Sequence, residues 1–359
     1  MLATYYQSIY LVIVVILSII VMSQYSRGIL ERVERKSTAN VLLTFCIVIF
    51  MILFIGLRPI HDVFSDTVVY ASGYSHLWGE TFYFEWETHN LIYDNLLSFM
   101  ACSRIPLEIF FLIIAAVYFC GIFIACKKLF PKDVLLAFVV YLAAFSTFSY
   151  ATNGIKAGAA ASLFLVALAY IDKKWLSVIF AILTYGMHHS MALVIVAYFI
   201  VLYVKNPKFY FFVWGFSFVI AALHITWFQH LFAGFTDEHG AGYLLSEQNT
   251  GFRIDFIIYS SVPVIIGYWL IFKRALKSKI YSLILNLYLL TNSVWMLCMY
   301  SSFTNRISYL SWFLYPIVLL YPFVNLSLSN RQYVYLKYAV WGHLGFTLFM
   351  HYIYYGILK

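Results

Sequence analysis

Four cations stand at the ends of apolar runs, each with polar company at short spacing. Arg58 follows Gly56, with carboxylates at Asp62 and Asp66 and a phenol at Tyr70. An Arg with acids four and eight residues on can close a buried ion-pair network, or it can present a guanidinium to a phosphate. An Arg at a helix end also serves as a plain snorkelling anchor. Lys156 lies in Asn153-Gly154-Ile155-Lys156-Ala157-Gly158, where a helix is expected to begin. A cation there opposes the helix dipole, which is unfavourable unless an anion binds. Arg253 and Asp255 are two residues apart in Gly251-Phe252-Arg253-Ile254-Asp255-Phe256, and Asn305-Arg306 opens a later apolar run. Charges at membrane depth are costly and point to function by default. Four cations on one face need negative partners, and a diphosphate is the natural extracytoplasmic candidate.

His188-His189-Ser190 supplies a proton acceptor. Imidazole is the side chain best suited to take a proton near neutral pH. Two adjacent His on a helix point about 100° apart, so one of the pair is expected to face a given site. The other reading is a His that caps a helix or meets lipid headgroups. No zinc-like spacing surrounds the pair, so no metal is expected. The sequence contains no GxGxxG, P-loop, GxSxG or HExxH motif.

The elements that position these residues are membrane helices. The chain is 64% hydrophobic and 11% charged, with a mean hydropathy of +0.86, whereas soluble domains average roughly 25% charged residues. Its apolar stretches are continuous rather than alternating, which predicts an all-α polytopic bundle instead of a β-barrel. Spans are expected at 4–23, 38–57, 107–126, 134–150, 157–171, 174–187, 190–204, 210–228, 255–272, 281–300, 307–325 and 336–355. That makes about twelve transmembrane helices in one integral membrane domain, residues 1–359. Residues 1–23 read as a retained first span, without the basic start and small-residue cleavage site of a signal peptide. Residues 174–204 are read as two short spans, although one long tilted helix would also fit.

The charges fit this arrangement. Seventeen of the 23 Lys and Arg fall in the predicted cytoplasmic connections: Arg27, Arg32, Arg35, Lys36, Lys127, Lys128, Lys132, Lys173, Lys174, Lys205, Lys208, Lys273, Arg274, Lys277, Lys279, Arg331 and Lys337. The net charge of +8 is mostly this positive-inside bias, so nucleic acid is not an expected partner. Arg58, Arg104, Lys156, Arg253, Arg306 and Lys359 remain outside, with eleven of the 15 acids: Asp62, Asp66, Glu80, Glu85, Glu87, Asp94, Glu108, Asp237, Glu238, Glu247 and Asp255. Two extracytoplasmic loops result, 58–106 and 229–254. The first holds an amphipathic stretch, Leu91–Cys102, suited to the membrane interface. The second carries Gly234, Gly240, Gly242 and Gly251, which predicts a mobile loop with special backbone angles. External aromatics such as Tyr70, Tyr74, Trp78, Tyr83 and Trp86 can stack on sugar rings or join the interfacial belt. The five Cys, at 46, 102, 120, 126 and 298, form no CxxC and predict neither a disulfide framework nor a zinc site.

Taken in order, these motifs resemble the EpsG/Wzy-like family of bacterial polysaccharide polymerases. That family's Gly-x-Arg and Asp-Thr-x-x-Tyr are similar to Gly56, Arg58, Asp66, Thr67 and Tyr70 here. Its Asn-x-Ile-Arg-Gln is similar to Asn153, Ile155 and Lys156, with Lys in place of Arg and Ala157 in place of Gln. His188 and Ser190 match its His-x-Ser, residues 251–256 its Gly-Phe-Arg-Ile-Asp-Phe, and Arg306 its late Arg. The resemblance implies a membrane-embedded glycosyltransferase of the C type, at the outer face of the bacterial cytoplasmic membrane. Its implied partners are undecaprenyl-diphosphate-linked oligosaccharides as donor and acceptor, membrane lipid, and a chain-length regulator as a further partner class. No cofactor is implied.

On this reading an acceptor hydroxyl attacks the anomeric carbon and the lipid diphosphate leaves, with inversion and without a metal. Arg58, Arg253 and Arg306 hold the diphosphate with support from Lys156. His188 is the first choice of base, with Asp66 and His189 as alternatives. Asp62, Tyr70, Asn153 and Asp255 support, and Asp62 or Asp255 can orient an Arg. A lipid-oligosaccharide flippase, another secondary carrier and a sugar O-acyltransferase are the competing classes. A carrier should show two related halves and mid-membrane charges, and no internal repeat is found here.

Overall fold

An unpaired backbone N–H or C=O in lipid costs several kcal/mol, so long apolar runs close their hydrogen bonds within one helix. The computed structural model describes residues 3–25, 37–233, 238–246, 251–328 and 331–357; among these every regular element is helical and no strand forms. Arg27, Arg32, Arg35, Lys36, Gly234, Asp237, Glu247 and Lys359 lie outside the described residues.

The chain divides into two compact units, Met1–Met191 with Phe323–Lys359, and Ala192–Pro322. The first contains α1 (Tyr6–Gln24), α2 (Ser37–Gly56), α3 (Asp66–His76), α4 (Leu91–Cys102), α5 (Leu107–Leu129), α6 (Val134–Leu142), α7 (Thr147–Thr152), α8 (Ile155–Ala169) and α9 (Lys174–Met187). The second contains α10 (Ala192–Tyr203), α11 (Pro207–Ala222), α12 (Trp227–Ala233), α13 (Glu238–Leu245), α14 (Ile254–Tyr268), α15 (Lys279–Leu297) and α16 (Thr304–Trp312). The helix α17 (Tyr315–Asn325) carries the chain back into the first range, followed by α18 (Gln332–Phe349) and α19 (Tyr355–Ile357).

Among the described residues, six helices are long and apolar enough to cross a membrane: Ala3–Gln24, Ala39–Gly56, Leu107–Leu129, Ile254–Lys273, Lys279–Leu297 and Thr304–Asn325. A seventh results if α11 and α12, bent by 112° at Leu223–Thr226, form one broken span. The chain is thus an all-α, multi-pass membrane protein. Several of the twelve expected spans are shorter or interrupted. A helix of 15 residues, the length of α8, rises only about 22 Å, less than the ~30 Å hydrocarbon core. The stretch 134–150 is split between α6 and α7, and 174–204 is broken after Met187. There His188 is extended, with φ −157° and ψ 114°, and a 3-10 turn covers His189–Met191.

In the first unit α5 packs against α2, α4, α6 and α8, while α8 packs in turn on α9. Two glycines set close approaches that matter for the site. A Cβ on Gly56 would lie 2.8 Å from Leu112 Cα, so the end of α2 is laid directly on the backbone of α5. A Cβ on Gly186 would lie 2.7 Å from Ile92 Cδ1, which lets the end of α9 close on α4. The stretch Leu91–Cys102 is therefore a helix as expected, but it rests on protein: Tyr93, Asn95, Met100 and Ala101 are buried, and α4 packs on α3, α5 and α9. The segment 229–254 also departs from its expected loop character. Gly240 and Gly242 lie within α13, where helical φ is negative, and the positive-φ glycine among the described residues is Gly79.

In the second unit α15 is central, packed on α10, α11, α14 and α16. Its buried Asn292 donates to Ser260 Oγ (3.1 Å) and Ser311 Oγ (3.0 Å) and accepts from Trp214 Nε1 (2.9 Å). Trp312 Nε1 donates to the same Ser260 Oγ at 2.8 Å. A polar network of this kind specifies the packing of the helices it joins.

Gly56→Ala is expected to destabilise the protein by about 1–3 kcal/mol, because Leu112 Cα is backbone and cannot swing away. Gly73→Ala, on α3 with nothing within 4 Å of its Cβ, should be neutral or stabilising by up to ~1 kcal/mol. Thermal unfolding of both variants in detergent checks the pair; equal midpoints would contradict this packing.

Candidate active site

Arg58 leaves the end of α2 and is only 3% exposed. Its guanidinium donates to Thr67 Oγ1 from Nε (3.3 Å) and Nη2 (3.1 Å), to Ile55 O from Nη1 (3.1 Å), and to Thr152 O from Nη2 (3.2 Å). Thr67 Oγ1 in turn donates to Thr152 O at 3.1 Å. The Phe111 ring of α5 lies beneath it, 4.4 Å from centroid to Cζ. Every one of these partners is neutral. Burial pushes the guanidinium down to about 10, the nearby phenols of Tyr93, Tyr6 and Tyr70 opposing that shift, so it remains charged at neutral pH. The short link into α3 includes Ser65 at φ 42°, a value a non-glycine residue keeps only where its surroundings require it.

Asp62 does not pair with Arg58, so of the arrangements the spacing allowed the ion pair with Asp62 is not the one formed. Asp62 accepts from the Val63 N–H at 2.9 Å and lies 2.5 Å from His61 Nδ1, with its side chain 86% exposed. Arg58 is oriented by Thr67 and by two backbone carbonyls instead. Asp66 is half-buried at the start of α3 and lies within electrostatic range of Tyr93.

Lys156 is the second residue of α8. Its Nζ stands 5.4 Å from the centroid of the Tyr93 ring, and no carboxylate reaches it among the described residues. Just before it, the side-chain oxygen of Asn153 is buried with no hydrogen-bond partner among the described residues, and the Asn153 carbonyl accepts from Tyr70 Oη at 3.4 Å. Tyr93 sits among them, 1% exposed, its ring 6.1 Å from that of Tyr70. Its hydroxyl has no hydrogen-bond partner among the described residues. Burial first, then Tyr70 and the carboxylates of Asp94 and Asp66, push the phenol well up, with Arg58 opposing; Tyr93 is therefore a neutral donor.

One residue further along α4, Asp94 begins a second chain of contacts. Its Oδ2 accepts from Thr88 Oγ1 and, at 3.2 Å, from Asn90 Nδ2. Asn90 Oδ1 accepts the His189 backbone N–H at 3.2 Å and lies 3.1 Å from Nδ1 of both His188 and His189. The pair is not helical, so the expected 100° divergence does not apply. Extended backbone at His188 and a 3-10 turn at His189 bring both rings to one oxygen, their centroids 5.3 Å apart. The His89 ring is 5.4 Å from that of His189.

The first unit therefore holds two clusters, Arg58, Asp66, Tyr70, Asn153 and Lys156 around Tyr93, and His188 and His189 around Asn90, linked through the adjacent Tyr93 and Asp94 of α4. Tyr93, Asn90 and Asp94 were missed by sequence reasoning. Asp94 appeared there only as one of eleven external acids, and a buried Tyr on an amphipathic helix resembles any core aromatic.

Arg253, Asp255 and Arg306 belong to the second unit. Arg253 N-caps α14 and forms a two-pronged pair with Asp255, Nε to Oδ1 at 3.0 Å and Nη2 to Oδ2 at 2.7 Å. Its Cζ lies 3.5 Å from the Phe256 ring centroid. The Asp255 side chain is 8% exposed and that of Arg253 22%. Arg306 is exposed in the first turn of α16, 4.8 Å over the Phe303 ring.

Residues 41–358 match the EpsG family, nearly the whole chain, and the chain belongs to that family. Membership supports the role of a membrane polysaccharide polymerase of the glycosyltransferase type. Neither the curated proteins nor the solved structures provide a match.

Removing one partner of a largely buried charge pair strands the other. Arg253→Met is expected to lose roughly 1–3 kcal/mol by leaving Asp255 uncompensated, and Arg253→Met with Asp255→Leu should recover much of that loss. Melting midpoints of the single and double variants measure the coupling; additive losses would show that the pair contributes no mutual stabilisation.

Proposed function

We propose that this EpsG-family member joins lipid-linked oligosaccharide repeats at the outer face of the bacterial cytoplasmic membrane. The observation that carries the reading is Arg58, a buried guanidinium whose hydrogen-bond partners are all neutral. It stands in one cluster with Lys156 at the start of α8 and with the buried hydroxyl of Tyr93. Burying a charge without a counter-ion is costly, and such a site gains most by taking up an anion. Undecaprenyl diphosphate is the anion that matches the chemistry expected of the family. Arg253 and Arg306 are assigned the same type of role, in the second unit, with Asp255 orienting Arg253.

In the reaction proposed, the acceptor sugar O–H attacks the anomeric carbon of the donor. The new C–O bond forms as the bond from that carbon to the diphosphate oxygen breaks, and the electron pair leaves on the diphosphate. His188 or His189 takes the hydroxyl proton, with Asp66 as the alternative base. Cations and the Tyr93 donor stabilise the charge that grows on the leaving group, the kind of electrostatic help that preorganised donors supply in a low-dielectric site. One displacement inverts the anomeric configuration. Cationic side chains can carry the leaving-group charge, so no metal is required.

Purified protein given undecaprenyl-diphosphate repeats, without nucleotide sugar, should produce a ladder at one-repeat spacing. Arg58→Ala and Lys156→Ala should weaken or abolish it. His188→Ala should lower the rate by about 10²-fold or more if that imidazole is the base. Unchanged single repeats from folded wild-type protein would favour the transporter class. The ladder should persist in EDTA, and the new linkage should have the inverted anomer by NMR; a retained anomer would exclude single displacement.

A further inference from the structure

We infer that Asn90 is the positioning residue of the histidine pair, its amide oxygen fixing an imidazole of the pair in the tautomer that places the basic lone pair on Nε2. The catalytic consequence rests on the polymerase reading; the tautomer assignment does not.

The orientation of the Asn90 amide is determined by its neighbours. The His189 backbone N–H can only donate, and it points at Oδ1. The Asp94 oxygen that accepts from Thr88 Oγ1 also accepts from Nδ2. Oδ1 therefore turns toward the histidines. It is an acceptor with two lone pairs, one of them taken by that N–H, and the imidazole that donates to the other carries its proton on Nδ1. With Nδ1 protonated in that neutral ring, the remaining lone pair is on Nε2. Proton uptake at Nε2 leaves the Nδ1–H···O contact intact, so the base can charge and discharge without rearranging its support. Asn90 is 6% exposed, which protects these bonds from competing water. Asp94 acts on the pair through the amide, holding its orientation. The titratable and charged groups on the elements packed around the pair are Asp94 and Tyr93 on α4, His89 before it, Lys156 on α8, and Lys174 and Tyr185 on α9.

Two readouts test this on the full-length protein. The first is NMR of ¹⁵N-histidine-labelled protein in detergent, with His188→Gln and His189→Gln giving the assignments. Above its titration, at least one ring should show a protonated Nδ1 with the lone pair on Nε2. Protonated Nε2 in both would overturn the inference whether or not the protein polymerises. The second uses Asn90→Asp together with Asp94→Asn, which keeps a hydrogen bond between the two positions and sets a carboxylate against the Nδ1–H. That should raise the imidazole titration by roughly one pH unit or more. A base must be neutral to act, so the acid limb of the rate profile should move up by the same amount and the rate should recover above it. A uniform loss at all pH values would mean a structural role only and would overturn the positioning claim. Correct tautomers together with an inactive wild-type protein would instead count against the polymerase reading alone.

Discussion

The first unit is organised around one charge that is buried without a counter-charge. Taking a guanidinium out of water is costly unless its N–H groups are met. Here they are met by the Thr67 hydroxyl of α3, by the Ile55 carbonyl in the last turn of α2, and by the Thr152 carbonyl at the end of α7. Two consecutive helices and the distant α7 thus meet at one side chain, and the close approach of Gly56 to α5 places it over Phe111. Hydrogen bonding of this kind satisfies the donors and leaves the net charge in place. A carboxylate in the same position would have removed it.

The helix α4 converts that charge into a candidate site. Its first turns carry Tyr93 toward Lys156, Tyr70 and Arg58, and Asp94 toward Asn90 and the histidines. Adjacent residues on a helix point about 100° apart, so one short helix can serve two clusters at once. The approach allowed by Gly186 keeps α9, and hence His188, within reach of Asn90.

The second unit treats charge differently. Arg253 is paired two-pronged with Asp255 and covered by Phe256, so it is locally neutralised. Arg306 is exposed in the first turn of α16. Asn292 and its Ser and Trp partners tie α11, α14, α15 and α16 together.

Class, helical character, most helix positions and the motif residues were legible in the sequence, because they depend on local quantities: continuous hydrophobicity, charge placement and short spacings. Lys174–Met187 and Leu91–Cys102 formed at the bounds read for them. The partner of Arg58 was not legible. Asp62 and Asp66 are near it in the chain, but the chosen acceptors include Thr152, 94 residues away, and a backbone carbonyl leaves no trace in residue type. The histidine pair was misjudged for a related reason: helical geometry was assumed where the backbone is extended. Asn90 lies 98 residues before His188, and only the packing of α4 on α9 could bring a tautomer-fixing oxygen to it. The sequence by itself determined which chemical groups exist and the membrane environment that makes their charge costly. Tertiary structure decided which charges are neutralised and which nitrogen carries the proton, because both depend on distances of about 3 Å that no spacing along the chain encodes.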